Sequence, residues 1–238
     1  MKKINLFNYF KILLISIPFL FTSCGKDDTP PVITINGDGT ITWSLNSSYS
    51  DPGASATDNE DGDVTVTSNV SSSNPDVNKA GTYTITYTAV DAEGNEGTAS
   101  RTVIVRNDAY YLEGSYGVTE QPGGSAWVQS ISTSTTQNNV IIFSKFANYS
   151  GNTAIRGKLA PGTPAFVVLD GTQQATNIGT APNNCNHEFT ADGNGNVVAE
   201  VSGKWTFSIK FKDQVTGGSG AGCATTAALP YEDTFIQQ

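Results

Sequence analysis

Beyond the first two dozen residues, no run of ten or more positions repeats its apolar side chains at a helical period. The recurring pattern is strict apolar–polar alternation rich in Thr, Val, Ile and Tyr, broken by Gly, Asn, Asp and Pro. Residues 82–90 put Tyr83, Ile85, Tyr87 and Ala89 on one face and threonines on the other, the signature of a half-buried antiparallel strand. Asp91-Ala92-Glu93-Gly94-Asn95 reads as a turn, and residues 98–105 as the returning strand of a hairpin. Residues 32–35, 40–45 and 64–66 are further short strands, with Asn36-Gly37-Asp38-Gly39 as a tight turn. About seven strands with a turn signal every 8–12 residues predict a small sandwich. No cysteine lies in this stretch, so its core must close on packing alone, with Trp43, Tyr49, Tyr83 and Tyr87 as its aromatic filling.

The second half repeats the theme. Strand-like runs cover 110–118, 126–132, 139–143, 153–159, 165–169, 196–201 and 204–211, with Ser202-Gly203 as a hairpin turn between the last two. Seven or eight antiparallel strands close into a barrel or stack as a sandwich, and the pattern leaves both open. The fold class is therefore all-β throughout. The expected divisions are a leader at 1–23, a linker at 24–29, a small sandwich at 30–107 and a second all-β domain at 108–238.

The leader departs from this pattern. Lys2 and Lys3 precede an apolar run at residues 12–21. That run is about ten residues long, against the roughly 20 needed to span a bilayer core, and suits a secretory signal. It ends in Phe21-Thr22-Ser23-Cys24, which resembles the lipobox of bacterial lipoproteins, where the cysteine becomes the lipidated first residue. Lys26-Asp27-Asp28 just behind it resembles the surface-export signal of Bacteroidetes lipoproteins, with a periplasm-facing anchor as the alternative. An acyl chain holds a protein to the membrane by about 0.8 kcal/mol per buried CH₂.

Charge narrows the partners. Lys+Arg number 13 against 22 Asp+Glu; cleavage before Cys24 removes three lysines and no acids, taking the net charge from −9 to −12. A body this acidic is no nucleic-acid binder, since phosphate contact needs clustered Lys and Arg. A single histidine excludes His-rich metal sites.

Three segments carry a further resemblance. Tyr49-Ser50-Asp51-Pro52-Gly53, then Ala56-Thr57-Asp58-Asn59-Glu60-Asp61-Gly62-Asp63, then Ala80-Gly81-Thr82-Tyr83 through Asp91-Ala92-Glu93-Gly94-Asn95 follow the order seen in Ig-like domains of bacterial surface proteins. This is the group also named for a pesticidal crystal protein and similar to HYR repeats. It implies a spacer or adhesion module over roughly residues 30–106 and transfers no catalytic residue. Tyr111-Leu112-Glu113-Gly114-Ser115-Tyr116-Gly117-Val118 resembles, more loosely, the start of lipocalin-like or calycin-like domains of Bacteroidetes lipoproteins.

Candidate chemistry is sparse. Asp58, Glu60, Asp61 and Asp63 crowd carboxylates that could gather a structural Ca²⁺, though their spacing departs from the EF-hand loop; a solvated turn is the alternative. No other cofactor is expected. Cys185 and Cys223 remain as an even pair in an exported protein, which predicts a disulfide. His187 has too few partners for a metal centre and no Gly-x-Ser-x-Gly elbow to serve, so it reads as a loop or rim residue. Glycosidase carboxylates carry no short motif, which keeps Glu113, Glu120, Asp170, Glu188, Glu200 and Glu232 in view. Trp127, Tyr149 and Trp205 are the candidates for stacking on a ligand. The expectation is a non-enzymatic, lipid-anchored envelope protein: a spacer domain carrying a distal domain that holds a glycan, small ligand or protein. A pure spacer and, less favoured, a carboxylate glycosidase are the alternatives.

Overall fold

A computed structural model describes residues 26–144, 146–148, 154–160, 166–178, 185–194, 198–218, 223 and 225–238. The described chain holds strands and two short 3-10 turns. None of its helices is long and apolar enough to cross a membrane.

The first seven strands form two facing sheets. β1 (Val32–Ile35), β3 (Ala54–Asp58) and β4 (Gly62–Val64) make one, in the order β1-β3-β4. β2 (Thr40–Ser44), β7 (Glu96–Arg106), β6 (Gly81–Val90) and β5 (Val66–Ser68) make the other, in the order β2-β7-β6-β5. The expected strand at 64–66 is in fact a crossing point. Val64 ends one sheet and Val66 starts the other, a corner of the kind that lets one short run serve both layers. The alternation read in β6 holds, with Ile85, Tyr87 and Ala89 buried and Tyr83 half-buried. Leu45, Ile85, Tyr87, Val103 and Val105 form the core, with Trp43, Tyr49 and Tyr83 packed against it.

An ion pair lies inside this apolar frame. Arg101, with 0% of its side chain exposed, meets Asp51 at 2.6 Å. The same carboxylate accepts hydrogen bonds from the Tyr49 hydroxyl at 3.0 Å and the Tyr87 hydroxyl at 2.8 Å. Arg101 also donates to the carbonyls of Asn36 and Asp38. The Tyr-Ser-Asp-Pro-Gly segment thus has a physical role: its Asp51 neutralises a buried guanidinium and caps two core tyrosines.

β8 (Gly114–Gln121), β9 (Ala126–Thr133), β10 (Val140–Phe143), β11 (Ile155–Ala160), β12 (Phe166–Leu169), β13 (Gln173–Ile178), β14 (Cys185–Ala191), β15 (Ala199–Val201), β16 (Lys204–Gly218) and β17 (Leu229–Gln237) form one ten-stranded sheet. Its order is β12-β11-β10-β9-β8-β17-β16-β14-β13, with β15 a short flap on β16. Successive strands are neighbours and the last pairs back onto the first, so the sheet is an up-and-down barrel, nearly closed. Among the described residues no ladder joins edge strands β12 and β13. Beside this seam the Gln173 amide bonds the backbone of Arg156 on β11, accepting at 2.7 Å and donating at 2.6 Å. Of the two architectures left open by the sequence, the barrel is the one formed.

Aromatic rings fill the interior. Phe207 and Phe235 stack at 4.7 Å, Phe143 lies 5.5 Å from Phe235, and Phe146 bridges Phe143, Phe189 and Phe211. Gly157 makes room for them, since a Cβ there would stand 3.0 Å from both Phe143 and Val167.

Residues 110–118, expected as one strand, begin instead as a 3-10 turn at Asp108–Leu112. Asn107 dictates this. Its Oδ1 accepts from Ala109 and Asn139, while its Nδ2 donates to the carbonyls of Ser134, Gln137 and Val140. The loop between β9 and β10 also touches the sandwich, through Ala80 N–H to Thr135 O at 2.7 Å and Asn138 N–H to Asn46 Oδ1 at 2.9 Å.

Candidate functional site

Alternation along the barrel strands carries polar side chains to the inner face beyond the aromatic stack. Glu120 follows Tyr116 and Val118, Asp233 sits between Tyr231 and Phe235, Asp213 follows Phe211, and His187 precedes Phe189. Register sets Asp233 opposite both Glu120 and Ile209. The His187 ring meets Asp213 through Nδ1 at 2.7 Å. Asp233 is 0% exposed, and among the described residues neither of its carboxyl oxygens has a hydrogen-bond partner. Burial first, and the Glu120 charge second, push its pKa up to about 8. Burial and Asp213 likewise raise Glu120, and burial with Asp213 and Glu120 raises Tyr231. Burial thus favours the neutral carboxyl at Asp233. A carboxyl without exposed surface reaches no substrate, so Glu120 and Asp233 do not form a pair of working acids.

The outer face at the same level of the sheet is accessible. Register lines up Lys210, Glu232 and Gln121 across β16, β17 and β8, and Asp192 N–H donates to the Lys210 carbonyl at 3.1 Å. These four, with Tyr231, Pro122 and Pro230, line a groove of about 250 Å³. Glu232 also accepts from the Ser208 hydroxyl, and Asp192 pairs with Lys212 at 3.0 Å, so two groove carboxylates are already oriented. Its apolar walls are the two prolines and the part-exposed side of Tyr231, an inward residue whose ring stacks on Phe211 at 5.7 Å, rimmed by donors and acceptors of both charge signs. A second groove, of about 420 Å³, opens where Gly117 lies between the half-exposed Val128 and Ile236. Val118 and Trp127 also line it, together with Lys204, Gln237 and Gln238.

Several residues singled out in the sequence fall elsewhere. The leader 1–23, Cys24 and Tyr149 lie outside the described residues. Lys26 and Asp28 are exposed and 3.7 Å apart, whereas Asp27 is buried. Trp127 and Trp205 belong to the barrel core: Trp127 is 8% exposed and touches the larger groove, and Trp205 packs on Tyr111 at 4.6 Å. Their strand parity turns them inward, so neither offers an open stacking face. His187 is no loop residue; it sits buried on β14, where period-2 alternation places it among inner residues.

The four crowded carboxylates do not converge. Asp58 Oδ1 accepts the N–H groups of Glu60 and Asp61, Asp61 turns to accept from Ala92, and Asp63 stays exposed on β4. Among the described residues the grouping that forms is Asp58 with Asp27 and Asp91. Cys185 and Cys223 are joined as expected, with Cα atoms 5.1 Å apart. The sequence reading missed Arg101, Asp233 and the groove residues Gln121, Lys210 and Tyr231. Tyr231 lies on β17, a strand that the reading did not find; Gln121 ends β8 just past the strand read at 110–118, and Lys210 lies on a strand that was read, but no local pattern marks either as part of a groove.

Residues 33–105 match the family described as bacterial surface protein, Ig-like domain. No curated protein matches the chain. Among solved structures it is similar to a lipoprotein of Bacteroides thetaiotaomicron, at 16% identity and TM-score 0.30, covering 87% of this chain and 100% of that one. A protein of unknown function from Bacteroides ovatus follows at 11% identity and TM-score 0.26, covering 87% and 94%. A structure of CBM51-2, in complex with GlcNAc, and INT domains of Clostridium perfringens ZmpB follows at 14% identity and TM-score 0.24, covering 87% and 44%.

Proposed function

We propose that this chain is a lipid-anchored protein of the bacterial cell surface whose Ig-like sandwich, residues 30–107, is a spacer. Its barrel, residues 108–238, is a non-catalytic head that holds a glycan in the groove around Tyr231. The carrying observation is the groove itself: two prolines and the part-exposed Tyr231, whose ring also stacks on Phe211, faced by Gln121, Asp192, Lys210 and Glu232. A pyranose needs that mixture, since it presents C–H faces to apolar side chains and hydroxyls to paired donors and acceptors. The aromatic filling of the barrel argues for an outer groove rather than the internal cup of a lipocalin-like carrier. The family match over 33–105 fits a non-catalytic role in the cell envelope, and the Lys26-Asp27-Asp28 run behind Cys24 fits display on a Bacteroidetes outer membrane.

A pure spacer is the second reading, favoured by the same filled interior. A glycan array probed with the full chain in detergent separates the two. Binding to a defined glycan class, lost in Tyr231→Ala and kept in Val128→Ala, supports the groove. Absence of binding to any glycan supports the spacer.

A further inference from the structure

The N-terminal end of the sandwich brings together three carboxylates that the strand pattern alone keeps far apart. One carboxylate oxygen from each of Asp27, Asp58 and Asp91 lies within 4.8 Å of the other two. Asp27 is 6% exposed and Asp91 is 8% exposed. Each side chain is held by backbone donors: Asp27 by Thr29 N–H, Asp58 by the N–H groups of Glu60 and Asp61, and Asp91 by Asn95 N–H at 2.7 Å. Asn95 Nδ2 donates both to the second oxygen of Asp91 and to the Asp27 carbonyl, fixing the two segments against each other. Oδ2 of Asp27 and Oδ2 of Asp58 are shut off from solvent and accept no hydrogen bond from the described residues. None of the ion pairs among the described residues reaches any of the three.

Two buried carboxylates and a half-buried one, with two orphaned oxygens among them, repel one another and forgo hydration, a cost that the hydrogen bonds behind them offset only in part. A hard divalent cation removes both penalties at once. Oxygens bound to one Ca²⁺ at 2.3–2.6 Å lie no more than about 5 Å apart, which the trio satisfies before any rearrangement. The donors behind each carboxylate are the outer shell that orients metal ligands. We infer that Asp27, Asp58 and Asp91 form a Ca²⁺ site that clamps the segment entering the sandwich to the β3–β4 and β6–β7 turns, with water completing the shell. Mg²⁺ is the poorer fit, because it gives up its own waters reluctantly and demands a tighter octahedron. The approach of the entering segment is independently tight. Pro31 crosses Gly97 so closely that a Cβ there would stand 2.0 Å from the Pro31 carbonyl oxygen.

Equilibrium dialysis of the chelator-treated full chain in detergent against ⁴⁵CaCl₂ tests this. One Ca²⁺ per chain is expected to bind by about 2 mM, as for extracellular modules, with Asp27→Asn and Asp91→Asn each weakening it at least about tenfold. Glu60→Gln, a loop carboxylate outside the trio, is expected to leave binding unchanged. Asp27 lies outside every strand, so Asp27→Asn decides the matter if Asp91→Asn disturbs its turn. No Ca²⁺ retained at that concentration, undiminished affinity in Asp27→Asn, or equal retention of Mg²⁺ would overturn the assignment. Failure of the glycan array leaves this result untouched, since the site lies in the sandwich.

Discussion

Replacing Asp51 by alanine should damage the sandwich more than any other single carboxylate change in the chain. The substitution strips Arg101 of its 2.6 Å counter-charge while the guanidinium stays wholly buried, left with backbone carbonyls as partners. It also removes the acceptor for the hydroxyls of Tyr49 and Tyr87, both of which burial and Asp51 itself hold in the protonated form. Breaking a buried ion pair by deleting one partner costs about 3–5 kcal/mol, a large share of the stability of a domain this size. Hydrogen exchange followed by mass spectrometry reads the effect without a second transition from the barrel. In peptides covering β6 and β7, opening should become about two to four powers of ten more frequent. Barrel peptides should hold their protection. Asp51→Asn, which keeps an acceptor but loses the charge, should fall between wild type and Asp51→Ala. Asp63→Ala, at an exposed carboxylate of β4, is the control. If Asp51→Ala exchanged no faster than Asp63→Ala, the buried pair would be dispensable and the physical account of the Tyr-Ser-Asp-Pro-Gly segment would be wrong.

Other expectations concern the barrel and the anchor. Changing Cys185 and Cys223 together to serine opens a loop whose ends are 38 residues apart, and should lower barrel stability by about 3–4 kcal/mol in urea titrations; an unchanged midpoint would contradict it. Asp233 has its folded pKa raised from 3.8 to about 8, so the unfolded chain releases this proton first as pH rises. Stability should therefore fall between about pH 4 and pH 8, by up to about 1.4 kcal/mol per unit from this group. Asp233→Leu should flatten that slope, and equal slopes in the two proteins would refute the assignment. Cys24→Ala should release the protein from membranes, and retention in the membrane fraction would refute the lipid tether.

Much of the fold was legible because it is written in parity. The β6–β7 hairpin, with its inner Ile85, Tyr87 and Ala89, and the Ser202-Gly203 turn joining β15 to β16 follow from alternation and turn chemistry alone. What escaped did so where inner positions are polar. In β14 the inward residues are Cys185, His187 and Phe189, and in β17 they are Tyr231, Asp233 and Phe235, so neither reads as apolar alternation. The same substitutions that hide these strands create the acidic inner end of the barrel, and β17 carries Tyr231 to the groove. The Asp27–Asp58–Asp91 cluster was half visible. Local crowding around Asp58 pointed to a cation, but its partners come from positions that only the folded sandwich brings near.

The most direct test of a head that holds its ligand without transforming it is retention followed by mass analysis of what was retained. The full chain, immobilised through its lipid in detergent micelles or vesicles, is exposed to the glycan class selected on the array. The bound fraction is then recovered after prolonged incubation. Saturable retention that disappears in Tyr231→Ala, with the glycan recovered at its original mass, is the predicted result. A shortened or altered glycan, or retention that survives loss of the Tyr231 ring, would contradict it.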